Sequence, residues 1–201
     1  MIRIGLTGSI ASGKSSVTEI LREMGIAVFD ADEVVHGLYG NAKLAAEIER
    51  LLPGSTVAGV VNREAVMRII QAAPEKLKTL ESFVHPLVQR EELSFAKERR
   101  KRGDKLVVFD IPLLMETGRG DDYDAVVLVS ADESTRKTRA MQRHGMSSGK
   151  WETVNARQLT DSQKRLQADY IVENNGSLDN LRLSVEDLLA ALAAPRKNRN
   201  A

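Results

Sequence analysis

Gly8-Ser9-Ile10-Ala11-Ser12-Gly13-Lys14-Ser15 constrains this chain more than any other stretch. It fulfils G-x-x-x-x-G-K-[ST] at every fixed position, directly after apolar Ile4-Gly5-Leu6 and directly before the amphipathic run Ser16 to Met24. That order implies a buried strand leading into a loop whose backbone N–H groups turn inward around a polyphosphate. The positive N-terminal end of a helix then lies behind the loop. Gly8 and Gly13 supply backbone angles and close approach that a Cβ would obstruct. Lys14 is expected to reach the β- and γ-phosphates, and the Ser15 hydroxyl to ligate Mg²⁺. A chance match in a glycine-containing turn would lack the strand before it and the helix after it. The stretch predicts binding of a nucleoside triphosphate.

A chain of 201 residues fits one domain, or a core with an insertion. At 42% hydrophobic and 28% charged residues it has the makings of an ordinary core and a charged surface. A net charge of +1 gives no bulk attraction to nucleic acid or to a membrane surface, so neither is expected as a partner. The absence of cysteine excludes disulfides, thiolate zinc sites and cysteine nucleophiles. No apolar run approaches the roughly 18 residues of a membrane span, and the start of the chain reads as a strand rather than a signal peptide. A cytoplasmic location is the expectation.

Further along, Ile26-Ala27-Val28-Phe29 reads as a second buried strand ending in Asp30-Ala31-Asp32. Carboxylates at a strand end of an α/β sheet stand at the edge where ligands bind. One Asp suffices to cap a helix starting at Glu33, which leaves the other for chemistry. From Glu33 to about Gly103 the pattern is nearly all helical: Ala42 to Leu52, a turn at Gly59 to Asn62, Arg63 to Ala72, Leu77 to Val84 and Leu87 to Arg102. Some seventy helical residues between two strands exceed a plain βαβ crossover and suggest a substrate-binding insert. His85 before Pro86 marks a kink or helix boundary, and is either a structural hydrogen-bonder or a ligand contact. Arg99-Arg100-Lys101-Arg102 reads as a solvated helix terminus, with phosphate binding as the alternative. Leu106 to Phe109 ends in Asp110, the Walker B pattern in which a carboxylate reaches Mg²⁺ or its water shell. Ala125 to Val129 and Ala168 to Val172 supply two more strands. Between them, Ser134 to His144 places Arg136, Arg139 and Arg143 on one helix face, either solvated or part of a lid hinged near Gly145 to Gly149. Leu178, Leu181, Val185, Leu188, Leu189 and Leu192 form the apolar stripe of a last helix, and Pro195 to Ala201 reads as a polar tail.

Together these motifs resemble the dephospho-coenzyme A kinase family, over about Ile2 to Leu189. The more specific elements are Asp30-Ala31-Asp32, His85-Pro86, Asp110-Ile111-Pro112-Leu113-Leu114-Met115-Glu116, Arg139 and Arg143 leading to Gln158, Lys164 and Ala168-Asp169-Tyr170, and Asn174-Asn175-Gly176. The resemblance implies an α/β P-loop NTPase fold of three layers with a five-stranded parallel sheet, a helical acceptor-binding insert and a helical lid. The core would comprise about 1–32, 104–133 and 168–194, the insert 33–103 and the lid 134–167. The implied activity is transfer of the ATP γ-phosphoryl to the ribose 3′-hydroxyl of dephospho-CoA, with Mg²⁺, by a chain expected to be monomeric. Asp32 would be the acid beside the acceptor hydroxyl, with Lys14 and Arg139 catalytic as well. Gly8, Ala11, Ser12, Gly13, Lys14, Ser15, Ser16, Arg143 and Asn175 would hold the nucleotide, and Ser15 and Asp110 the metal. Thr7, Asp32, Arg63, His85 and Leu113 would meet the acceptor. This chain departs from the family loop at Ser9, Ala11 and Ser16, where the family carries Gly, Gly and Thr. Positions 9 and 11 are the loop's variable ones, so nucleotide binding is expected to survive. Val60-Val61-Asn62 also replaces the Asp-Gly that precedes the insert's arginine.

Three rival readings remain at this level: another small-molecule kinase of the same fold, an NTPase switch, and a non-catalytic nucleotide sensor. The guanine-reading Asn-Lys-x-Asp is absent, which argues against a GTPase, and a sensor would need neither Asp32 nor the arginines.

Overall fold

The computed structural model describes residues 1–194; the tail from Pro195 to Ala201 lies outside the described residues. Alternation in the first strand starts the fold. Ile4 and Leu6 of β1 (Ile2–Gly8) are buried on one face of the sheet, at 1% exposure each. β1 pairs in parallel with both β5 (Leu106–Asp110) and β6 (Ala125–Ser130), and β6 pairs in parallel with β7 (Tyr170–Glu173). With β2 (Ala27–Asp30) at the edge, the parallel sheet has the order β2-β5-β1-β6-β7. Residues 9–105, β2 among them, lie between β1 and β5 in the chain. β1 is thus central, flanked by strands that come much later in the chain.

Against the Ile4/Leu6 face pack Val17, Ile20 and Leu21 of α1 (Lys14–Glu23), with Leu181, Val185, Leu188 and Leu192 of α9 (Leu178–Ala193). Each such side chain contributes about 1.5–3 kcal/mol on full burial. Leu178, expected on the α9 stripe, is instead 62% exposed and lines a cleft with Gly176 and Leu181. On the other face Phe109 tilts against Phe29 and Tyr123, with ring centroids 5.7 and 5.5 Å apart. The Arg3 guanidinium lies over both Phe109 and Tyr123, 5.3 and 5.5 Å from the centroids.

The chain divides into two compact units, one formed by Met1–Phe29 and the part from Arg102 onward, the other by Asp30–Lys101. The second is mainly helical: α2 (Ala31–Tyr39), α3 (Ala42–Leu51), α4 (Arg63–Ala72) and α5 (Glu75–Arg102). It differs from the sequence reading in two places. Where a simple turn was expected, β3 (Thr56–Val57) and β4 (Val60–Val61) form a small hairpin. Its two turn residues, Ala58 and Gly59, both have positive φ, as the right-handed twist of a tight hairpin requires. Glu49 anchors it by accepting from the backbone N–H groups of Gly54 and Thr56 and from the hydroxyls of Ser55 and Thr56. The second difference is at Pro86, which neither breaks nor ends its helix; α5 runs through it for 28 residues. Pro86 is exposed, so the carbonyl it leaves unbonded faces water, while Leu80, Val84, Val88 and Glu92 keep a continuous buried row at every fourth position.

Candidate active site

The phosphate loop leaves β1 at Gly8 and re-enters helix at Lys14. A Cβ at Gly8 would stand 2.5 Å from the Ser12 hydroxyl and 2.8 Å from the Val129 carbonyl. Gly13 has φ +93°, and a Cβ there would overlap the Asn174 side-chain amide. Both positions therefore demand glycine. Ala11 also has positive φ, at +60°, a conformation that costs an L-residue about 1–2 kcal/mol. Its methyl is buried in a small cluster with Ala140 and Trp151. Ser12 Oγ is buried with no hydrogen-bond partner, in a loop otherwise built of donors.

Lys14 is ion-paired with Asp110, whose side chain is only 4% exposed at the end of β5. The strand order dictates this meeting: β5 lies beside β1, so the residue ending β5 faces the loop that follows β1. Thr7, fully buried, donates its hydroxyl to the Pro112 carbonyl at 3.0 Å and so fixes the turn after Asp110; Leu113 next to it is 40% exposed. Among the described residues no three His, Asp or Glu side chains gather to cage a metal. The Ser15 hydroxyl and Asp110 carboxylate are nonetheless hard oxygen donors, suited to Mg²⁺, which keeps several waters and substrate phosphates as ligands.

Arg139 and Arg143 line a cleft beside the loop. It has a volume of about 310 Å³, and Ala11, Gly13, Ser15, Ser16 and Asn174 are among its other lining residues. Arg139 Nη1 donates to the Asn174 carbonyl at 2.9 Å, leaving the other guanidinium nitrogens for a ligand. Arg143 lies beyond the end of α6 (Glu133–Met141) and is exposed. The expected common face of Arg136, Arg139 and Arg143 therefore does not form. Arg136 is buried at 4% exposure, donating to the Ala131 carbonyl and to Asn155 Oδ1, with its guanidinium 5.5 Å from the Trp151 ring centroid. Trp151 belongs to α7 (Ser148–Ala156), so Arg136 is a core strut between α6 and α7 rather than a ligand contact.

Asn175 directs its side-chain oxygen to the Asp132 N–H at 2.8 Å, while its neighbour Asn174 lines the cleft. Asn174 is 6% exposed and donates from Nδ2 to the Ser12 carbonyl at 2.8 Å. In the sequence Asn174 stands out only as part of Asn-Asn-Gly, directly after the apolar run that forms β7 and so at the carboxyl edge of the sheet. Gln158 likewise reaches the loop, accepting from the Ile10 N–H at 2.9 Å. Lys164, fully buried in α8 (Asp161–Gln167), pairs with Glu116 at 2.8 Å, and Glu116 also accepts from the Leu159 N–H.

Asp32, Arg63 and His85 belong to the helical unit. Asp30 accepts the Glu33 N–H at 3.0 Å and caps α2, and Asp32 is exposed on the first turn of that helix. Arg63 opens α4 with its guanidinium 5.8 Å from the Tyr39 ring centroid. Burial raises the Tyr39 hydroxyl pKa, and the Arg63 charge opposes that rise. His85 is exposed midway along α5.

A sequence model of the dephospho-CoA kinase family matches residues 2–180. The dephospho-CoA kinase of Bartonella henselae is 46% identical over 189 residues, covering 94% of this chain and 97% of that one. A crystal structure from Thermus thermophilus superposes with a TM-score of 0.82 at 36% identity, covering 96% of this chain and 98% of the other. The dephospho-CoA kinase of Campylobacter jejuni, at 23% identity, has a TM-score of 0.71 and covers 95% of this chain and 96% of its own, which bears on fold alone. A complete phosphate loop paired with a buried strand-end Asp, in a chain so matched along its length, makes this protein a member of the dephospho-CoA kinase family.

Proposed function

We propose that this enzyme performs its family's reaction, the ATP-dependent phosphorylation of dephospho-CoA that completes coenzyme A synthesis, at the ribose 3′-hydroxyl. The observation that supports this reading most is the Lys14–Asp110 pair at the mouth of the phosphate loop. A lysine held by one carboxylate is preplaced, and an arriving triphosphate offers it a second, more highly charged partner. The loop's backbone N–H groups bind and orient the phosphates, with Lys14 following the charge that develops on the transferring group. Arg139 and Arg143 line the cleft beside the loop and add positive charge there. Ser15 and Asp110 are the residues that would hold Mg²⁺, which would offset phosphate charge there. Asp32 orients the acceptor hydroxyl and takes its proton. Phosphoryl transfer through a loose transition state asks more of positioning and charge neutralisation than of a strong base. Asp30 already caps α2, which leaves the Asp32 carboxylate available for that role.

The helical unit Asp30–Lys101 supplies the acceptor side in this reading, with Asp32, Arg63 and His85, while Thr7 and Leu113 contribute from the sheet. Residues 134–167 act as the lid. The test is ADP release measured across a panel of hydroxyl acceptors. Release that requires dephospho-CoA supports the assignment, and release indifferent to any acceptor contradicts it. Hydrogen exchange provides a second check: protection within 30–101 on adding dephospho-CoA is expected, and protection confined to the phosphate loop contradicts the acceptor role of that unit.

A further inference from the structure

The loop that receives phosphate holds a strained residue between two outside clamps. Ala11, at φ +60°, sits in a conformation that L-residues rarely occupy. Immediately before it, the Ile10 N–H donates to Gln158 Oε1 at 2.9 Å; immediately after it, the Ser12 carbonyl accepts from Asn174 Nδ2 at 2.8 Å. Both clamping side chains come from far along the chain, one just before α8 and one just after β7. Each is itself held. Asn174 is buried, its N–H bonded to the Ser130 carbonyl and its own carbonyl to Arg139. Gln158 precedes Leu159, whose N–H is fixed by Glu116. The Ala11 methyl meanwhile packs with Ala140 and Trp151, so the strained residue is gripped by its side chain as well.

We propose that Gln158 and Asn174 are positioning residues that hold the phosphate loop, around strained Ala11, in its nucleotide-binding form before nucleotide arrives. The inference rests on the reading of this loop as the nucleotide site and adds to it the residues that hold the loop's shape. Backbone strain of this kind persists only where the surroundings over-determine it. Without the clamps the peptides on either side of Ala11 are free to relax, and the cost of restoring them falls on nucleotide binding. An unclamped glycine at position 11 would adopt the same angle without strain, so the dependence on the clamps belongs to this chain's alanine.

The experiment measures the Kd of a non-hydrolysable ATP analogue by calorimetry for Gln158→Met, in the wild-type background and in Ala11→Gly. Gln158 is partly exposed, and methionine keeps its length while removing the acceptor. The Gln158→Met change is expected to weaken binding about fivefold, the loss of one hydrogen bond, in the wild-type background. In the Ala11→Gly background the same change should weaken binding less than twofold. In turnover, the KM for ATP rises while kcat and the KM for the acceptor stay within twofold, a split that a general loss of folding would not produce. Asn174→Ala, a second and independent release of the loop, should behave in the same direction. Unchanged analogue affinity in Gln158→Met, or an equal loss in both backgrounds, would overturn the proposal. Wild-type protein that binds no nucleotide would remove the underlying reading as well, and that control separates the two failures.

Discussion

Lys14, Asp32 and Arg139 divide the work of the proposed reaction, and each predicts a different defect. Lys14→Ala removes the cation proposed to follow the transferring phosphoryl group. It should cost about 10²–10³-fold in turnover, while analogue binding to the loop's N–H groups is largely retained. Titration calorimetry beside steady-state rates checks both halves, and near wild-type turnover would dispose of the loop as a catalytic element. Asp32→Asn keeps the size of the side chain and one acceptor oxygen but loses the charge. Dephospho-CoA should still bind, and phosphoryl transfer should fall by about 10²-fold or more. Arg139 spends one nitrogen on the Asn174 carbonyl, and in the proposed reaction the rest of its fork meets phosphate. Arg139→Lys retains the charge and loses the fork, so turnover should fall with little change in acceptor affinity. A silent Arg139→Lys would mean that the cleft wall is merely solvated.

Among the elements, α8 shows how a buried charge fixes one segment against another. Lys164 is wholly enclosed and Glu116 is its ionic partner, in the apolar turn that follows Asp110. Lys164→Met strands the Glu116 carboxylate and should destabilise the protein by about 3–5 kcal/mol in urea unfolding. Adding Glu116→Leu should restore part of that loss, since the uncompensated charge is then removed as well; no recovery in the double variant would mean that Lys164 acts through packing alone. Such tertiary pairings were the least legible part of the sequence. The strands of the sheet, α1 and α9 could be read from apolar runs and from the loop motif, because their pattern is local. Asp110 could be read as a strand-end acid for the same reason. The burial of Arg136 could not, since its spacing to Arg139 matched a basic face, whereas partners as far on as Trp151 and Asn155 turn it inward. The hairpin at Thr56–Val61 escaped because its strands have two residues each and its turn is Ala-Gly rather than Asn-Gly. Pro86 suggested a break that the buried row of α5 overrides. The clamps Gln158 and Asn174 lie more than 140 positions from the loop they hold, a distance that no local pattern bridges.

At the scale of the whole molecule, an ionic cluster ties the carboxyl ends of β6 and β7 to α8. Arg165 bridges Asp161 at 2.5 Å and both oxygens of Glu173 at 2.7 and 3.0 Å, and it donates to Ser130 Oγ, which in turn donates to Asp161. Burial alone would raise the Asp161 pKa. The Ser130 hydroxyl, the Arg165 hydrogen bond and charge, and the Arg136 charge outweigh it, and the net direction is downward from 3.8. A folded-state pKa below the unfolded one stabilises the protein above the unfolded value, and that contribution is lost as pH falls through the lowered one. Unfolding free energy should therefore decline below about pH 4, and less steeply in Asp161→Asn, as denaturant titrations at successive pH values would reveal. The central claim concerns what the cleft does with ATP, and acceptor-coupled turnover tests it most directly. Purified protein with ATP, Mg²⁺ and dephospho-CoA should release ADP and coenzyme A in equal amounts, with phosphorus NMR placing the new phosphomonoester on the ribose 3′ position. Omitting dephospho-CoA should reduce ADP release to background. ADP formed at the same rate with and without dephospho-CoA, and no new phosphomonoester, would contradict the account.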